Sequence, residues 1–273
     1  MANLNQAVNE GRPLALSVRG LEFSFAGQAP LFQGLDFNIK QGEFVSILAA
    51  SGIGKTTLFR LLSGLIAPQA GTIAIGQAAY SAVEASAKRQ IGYMPQKDSL
   101  MPWRTVLDNA ALGLELAGTP KREARRQVME LLPSLGLEGT ERKYPHELSG
   151  GMRQRVSFLR SLLGGGELFL LDEPFSALDA MTRVSMQEWL LQVWEQHRKT
   201  ILFITHDVDE AILLSDRVLV AAESPITKLS ELKINLPRPR SYETSLDQTF
   251  LESKRQLLEL LGRTSRSPVG GSV

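Results

Sequence analysis

Cysteine is absent from the 273-residue chain, which excludes a disulfide framework and any thiolate metal site. An excess of one charge is missing too: 30 Lys and Arg stand against 29 Asp and Glu, a net +1. That balance gives no reason to expect a nucleic-acid partner held by bulk charge. No apolar run is long enough to cross a bilayer. The N-terminal MANLNQAVNEGRP is polar and lacks the apolar segment of a secretory signal. No internal repeat is visible. The expectation is a soluble intracellular chain, with any membrane connection made through a partner. At this length it can bury one large core, or a core plus a subdomain.

What is present is an alternation of strand and helix patterns. LALSVRGLEFSF and GLDFNI alternate apolar and polar residues as half-buried strands do. FVSIL, ELFLL, TILFI and RVLVAA are short apolar runs, as expected of buried strands, and TIAI and IGYM read as further strands. TTLFRLLSGL has helical spacing and is expected to stop at Pro68 and Gly71. From Thr105 to Leu163 only helical patterns occur, and the helices AMTRVSMQEWLLQVWEQH and DVDEAILL follow among the later strands. This predicts an α/β domain over 14–222, carrying an inserted helical subdomain at about 105–163. Residues 223–273 read as a less regular extension with one helix near LDQTFLESKRQLLELLG and a disordered tail.

The stretch ILAASGIGKTTLFRLL, Ile47–Leu62, comes close to the phosphate-loop pattern G-x-x-x-x-G-K-[ST], with Ala49 at its first position. It lies between a buried strand and a helix, the context that pattern requires. A loop around a polyphosphate needs inward N–H groups and no side chains in the way. Gly52 and Gly54 supply that clearance, and the helix presents its N-terminus to the anion. Lys55 adds a positive charge for the β- and γ-phosphates, and Thr56 a hydroxyl for Mg²⁺. A methyl at Ala49 is harmless if φ is negative and costs about 1 kcal/mol or more if it is positive.

ELFLLDEP delivers two carboxylates at the end of a buried strand, the usual edge of an α/β nucleotide site. Asp172 suits Mg²⁺ held through water, and Glu173 suits polarising an attacking water. LSGGMRQRV, Leu148–Val156, places Ser149 as a helix cap followed by Gly150 and Gly151, which leave the helix N-terminus bare. That is a second anion site in the same chain.

In these residues the sequence resembles the ATP-binding cassette (ABC) family, over about residues 14–222. The resemblance implies a P-loop NTPase fold: a RecA-like mixed sheet flanked by helices, an antiparallel β subdomain and an inserted helical subdomain. It implies that Gln96 in GYMPQ contacts the metal and the attacking water and senses a membrane partner. His206 in ITHD would contact the γ-phosphate, and Phe25 would stack on adenine. Ser51, Gly52, Gly54, Lys55, Thr56 and Thr57 would hold the nucleotide on one side. Ser149, Gly150, Gly151 and Asp179, the last from SALD, would reach it from a second copy of the chain. ATP and Mg²⁺ then sit between two subunits in a head-to-tail dimer, and hydrolysis removes the bridge.

MPWRTVLDNAALGLEL after Gln96 resembles the nitrate, sulfonate, taurine and thiamine-pyrimidine importers, as does INLPRPR, Ile234–Arg240. The implied partners are a transmembrane permease subunit and, indirectly, an extracytoplasmic substrate-binding protein, with the chain peripheral on the cytoplasmic face of the membrane. Trp103 is expected near the groove that receives a helix of the permease. Export and lipoprotein-release cassettes share every catalytic residue, so these two features alone separate the branches. Non-transport ATPases of the family carry coiled coils or tandem cassettes, which this chain has not. Ala49–Ala50 replaces the common Gly-Pro, and SFLRSLLGGGE the usual A-L-A-R-A-L-x-x-x-P.

Overall fold

The computed structural model describes residues 11–50, 52–76, 78–80 and 91–262. The first ten residues, Ser51 and the tail from Arg263 onward, for which expectations were stated, lie outside them. In chain order the elements are β1 (Leu14–Phe23), β2 (Phe32–Lys40), β3 (Phe44–Ala49), α1 (Lys55–Leu62), β4 (Ala70–Ile75), β5 (Ala78–Tyr80) and β6 (Ile91–Met94). Helices α2 (Val106–Leu116), α3 (Lys121–Leu131) and α4 (Gly150–Leu163) follow. The chain closes with β7 (Leu168–Asp172), α5 (Ala180–His197), β8 (Thr200–Thr205), α6 (Val208–Leu214), β9 (Arg217–Ala221), β10 (Ser230–Lys233) and α7 (Gln248–Gly262).

Two sheets form. An antiparallel one runs in the order β2-β1-β4-β5, and a mixed one in the order β10-β9-β3-β8-β7-β6. In the mixed sheet β6 to β9 and β3 are parallel, while β10 pairs antiparallel with β9. The apolar runs are explained by burial on both faces of this sheet. Val45, Ile47, Leu168, Leu170, Leu202, Ile204 and Leu219 pack toward the antiparallel sheet and α1. Their neighbours Phe44, Leu48, Phe169, Leu171, Ile201, Phe203 and Val218 pack toward the helices on the other side. The period of two assigns each run to both layers at once.

The stretch between β6 and β7 is helical apart from turns, as expected, and Val106, Ala110, Val128 and Val156 join the second of these cores. There the Gly113 backbone of α2 lies against Gly164, just past α4: a side chain on Gly113 would run into Gly164. Gly165 and Gly166 both take positive φ, +83° and +119°. The GGGE departure therefore serves a close helix crossing and a left-handed turn that bulkier residues would strain.

Helix α1 ends earlier than expected. It stops at Leu62 because Gly64 turns left-handed at φ +68°, and the N–H groups of Leu65 and Ile66 fold back on Arg60 O. Pro68 and Gly71 come too late to act as the stop. Gly71 belongs to β4 instead.

Candidate functional site

Because β3, β6, β7 and β8 run parallel, their C-terminal ends share one edge of the sheet, where α/β folds place ligands. The sequence after each strand carries a polar group to that edge: Lys55 after β3, Gln96 after β6, Glu173 after β7 and His206 after β8.

The other three meet on the carboxylate of Glu173. Glu173 Oε2 accepts from Gln96 Nε2 at 3.2 Å and faces His206 Nδ1 at 3.3 Å. Glu173 Oε1 lies 3.8 Å from Lys55 Nζ. Glu173 is also one of the few non-glycine residues with positive φ, +48°, a conformation that costs about 1–3 kcal/mol unless the surroundings fix it. They do fix it. Its N–H donates to Ile204 O at 3.0 Å, and its carbonyl accepts from Ser176 Oγ at 2.9 Å and Gln154 Nε2 at 3.2 Å. Gln154, buried on α4, also accepts from Ala177 N, so it ties the LSGG helix to the turn that aims Glu173. Sequence reasoning took MRQR only as a family mark and missed this. A polar cavity of about 50 Å³ beside Glu173, also lined by Ser176, Thr205 and His206, has room for a water.

The phosphate loop is built as its residues demand. Gly52 and Gly54 take φ +83° and +111°, left-handed values that glycine adopts without strain. Gly54 caps α1 without a side-chain bond, so the first N–H groups of α1 remain available to an anion. Lys55 is buried and its Nζ donates to Ala49 O and Ala50 O, each at 2.9 Å. Burial lowers its pKa, and the charges of Glu173 and Asp172 oppose that shift. Thr56 and Thr57 occupy the first turn of α1.

Ala49 is the last residue of β3, buried and in parallel register with Ala221. It is not among the residues with positive φ, so its methyl is carried without backbone strain. Ala49→Gly is expected to change ATP affinity by less than about tenfold, ~1.4 kcal/mol. Nucleotide titration of both proteins checks this, and binding seen only in the Gly variant would show a disabled loop.

Asp172 is 1% exposed and neither carboxylate oxygen meets a hydrogen-bond donor. Burial raises its pKa to about 6; the nearby Thr56 hydroxyl, short of a full bond, pulls the other way. A buried carboxylate with two unused oxygens next to a threonine hydroxyl suits a hard cation. Among the described residues no three His, Asp or Glu converge as a cage of their own. A Mg²⁺ bound mainly through phosphate and water, with one or two protein ligands, needs none.

The second anion site stands apart. Ser149 Oγ caps α4, accepting from Met152 N at 3.2 Å, and Ser149 and Gly150 are exposed. Among the described residues no hydrogen bond or ion pair joins Ser149, Gly150 or Gly151 to the Gly52–Thr57 loop. Asp179 caps α5 through Thr182 N at 3.0 Å; the bonds from Thr182 hold its pKa below the usual carboxylate range. Phe25 lies just past β1, 39% exposed and edge-on to Phe23. Trp103 is 73% exposed.

The family described as ABC transporter matches residues 32–176. The formylaminopyrimidine import ATP-binding protein ThiZ of Halalkalibacterium halodurans is 41% identical over 90% of this chain and 96% of its own. The aliphatic sulfonates import ATP-binding protein SsuB 2 of Streptomyces avermitilis is 42% identical over 92% of each chain. Among solved structures, a dimeric ATP-binding cassette in a post-hydrolysis state bound to ADP and Pi superposes with a TM-score of 0.72. It is 27% identical, over 80% of this chain and 98% of that one.

Proposed function

The chain belongs to the ABC transporter family, and from that premise we propose that it is the ATP-hydrolysing subunit of an importer for a small organic or inorganic anion or a vitamin precursor. The observation that carries the reading is the convergence of Lys55, Gln96 and His206 on Glu173. The import direction is supported by the printed functions of the relatives and by the Pro102–Trp103 and Leu236–Arg240 features.

In this reading Phe25 stacks on adenine and the loop from Ser51 to Thr57 holds the phosphates. Lys55 and His206 contact the γ-phosphate. Glu173 accepts the proton of the attacking water, oriented by Gln96. Asp172, Thr56 and Gln96 are the groups that hold Mg²⁺, which neutralises charge building on the phosphoryl oxygens when bound. Ser149, Gly150, Gly151 and Asp179 act on the nucleotide of a second copy, so the working unit is a head-to-tail dimer with ATP at the interface. The domain runs from 14 to 222, with 105–163 as its helical subdomain and 223–273 as an extension.

Among the described residues no helix is long and apolar enough to cross a membrane. The membrane connection then falls to a permease subunit on the cytoplasmic face, with an extracytoplasmic binding protein delivering substrate. Trp103 marks the docking groove: a large exposed aromatic one short loop beyond Gln96 suits an interface anchor. Trp103→Ala is expected to leave ATP binding by the isolated subunit intact and to weaken co-purification with the co-expressed permease. Unchanged co-purification, with a destabilised isolated subunit, would assign Trp103 to the core and remove this support for the permease contact.

A further inference from the structure

Both arginines of the Leu236–Arg240 segment turn inward, although neither belongs to the phosphate machinery. Arg240 is 6% exposed and is bonded to main-chain carbonyls rather than a carboxylate: Nη1 donates to Ile212 O at 3.0 Å, Leu213 O at 3.2 Å and Ser215 O at 2.8 Å. Its Nη2 donates to Leu236 O at 3.0 Å, which closes the segment on itself. Arg238 donates to Leu214 O at 2.8 Å and to Asp216 Oδ1, and its guanidinium stacks 4.0 Å above the Trp194 ring. Asp216 in turn accepts from Phe44 N at the start of β3. The carbonyls in question are those a helix leaves unpaired at its C-terminus, where a cation is favourable. The helix is α6.

Helix α6 is seven residues, about 10 Å of rise, and it begins two residues after His206. Its first turn is locked to the chain on either side of that histidine. Asp207 Oδ1 accepts from Asp209 N and Glu210 N, and Thr205 Oγ1 donates to Glu210 Oε2 at 2.7 Å. Gln187 of α5 donates to the other Glu210 oxygen at 3.2 Å. The His206 side chain itself is 57% exposed, so packing around the ring holds it only in part, with Glu173 facing its Nδ1. Its main chain lies between the end of β8 and α6, and α6 is held at one end by Glu210 and at the other by the two arginines.

We infer that Arg238 and Arg240 are positioning residues for ATP hydrolysis, acting through α6 on the placement of His206 against Glu173. The inference rests on the reading of His206 as the γ-phosphate contact. It assigns the extension after β9 a part in the chemistry: it is the anchor of the helix that directly follows one of the reacting site's groups. A short helix freed at its C-terminal end can slide or tilt by an ångström, and misplacement on that scale can cost about 10²-fold in rate. Nucleotide binding depends on it far less, because His206 is one phosphate contact among several and the others lie in the loop between β3 and α1.

The experiment uses the full chain with four variants. Arg240→Ala is expected to lower kcat by tenfold or more at a temperature where it is folded, with ATP affinity within about threefold of native. Arg240→Lys keeps the cation but not the second nitrogen that bonds Leu236 O, so the segment is no longer tied to the α6 carbonyls; it should show the same split, smaller in size, and serves if the Ala variant does not fold. Leu16→Ala, in the buried core of β1, loses stability without touching α6 and should keep native kcat while folded. A second readout is independent of turnover. The chain has three histidines, so the His206 ring resonance is assignable by its loss in His206→Ala. It should move in both Arg240 variants while that of His146 stays. Native kcat in a folded Arg240 variant overturns the inference, as does an unmoved His206 resonance or an equal loss of kcat in Leu16→Ala. If His206→Ala hydrolyses ATP at the native rate, the reading of His206 falls and takes the inference with it. Loss of activity in His206→Ala beside native Arg240 variants overturns the inference alone.

Discussion

Replacing Glu173 by Gln lowers ATP hydrolysis by about 10² or more, the scale of losing a general base, and leaves nucleotide binding in place. The shape is kept, and so is one acceptor for Gln96. What is lost is the charge that polarises water. Lys55 also loses the nearer of its two anionic neighbours, the one 3.8 Å away, so its ammonium is no less available to phosphate than before. ATP should therefore bind at least as well and persist. The variant is expected to collect as an ATP-bound dimer, while the native protein is mostly monomeric. Phosphate release and size exclusion with ATP and Mg²⁺ measure both effects. Native-rate hydrolysis by Glu173→Gln, or a dimer formed without nucleotide, would refute the role given to this carboxylate.

The turn around Glu173 shows how much of the site a sequence can disclose. Residues whose chemistry is carried by a local pattern were legible: the loop glycines, Lys55, the Asp172–Glu173 pair after an apolar run, and the cap at Ser149. The convergence of Lys55 and Glu173 with Gln96 and His206 comes from the parallel strands, which bring their C-terminal ends to one edge, while the Ser149 cap stands apart. The supports of the site were not legible. Gln154 reaches Glu173 O across 19 residues, and Arg240 reaches Ile212 O across 28. Such pairings depend on where helices finish up, which no local pattern states. The same holds for secondary structure. Strands buried on both faces announce themselves as apolar runs, whereas β10, SELK, is an edge strand that is half-exposed throughout. It has neither an apolar run nor a clean alternation, and its only instruction is the free edge of β9. Helix α1 illustrates the remaining kind of error: the stop was placed at a proline, when a left-handed glycine four residues earlier had already ended the helix.

Adding Ser149→Arg to Glu173→Gln abolishes the ATP-dependent dimer. Ser149 and Gly150 are exposed at the bare end of α4, and a Cβ on Gly150 would meet only Arg153, at 3.8 Å. In the proposed reading this small, open surface would let another subunit's γ-phosphate approach the helix N-terminus. An arginine there fills the approach with a long side chain. It also removes the cap on Met152 N, a loss of about 1 kcal/mol in helix stability, which a domain of this size survives. Ser149→Ala separates the two effects, because it loses the cap but adds no bulk. In the Glu173→Gln background the Ala variant should still dimerise with ATP, at lower affinity, whereas the Arg variant should remain monomeric at every ATP concentration. Both should bind ATP as monomers with native affinity, since among the described residues no hydrogen bond or ion pair joins Ser149 to Lys55, Thr56 or the rest of the loop. Size exclusion and nucleotide titration of the pair decide it. A dimer that persists in the Arg variant, or monomer binding of ATP that fails along with dimerisation, would place the Ser149 turn outside the nucleotide interface.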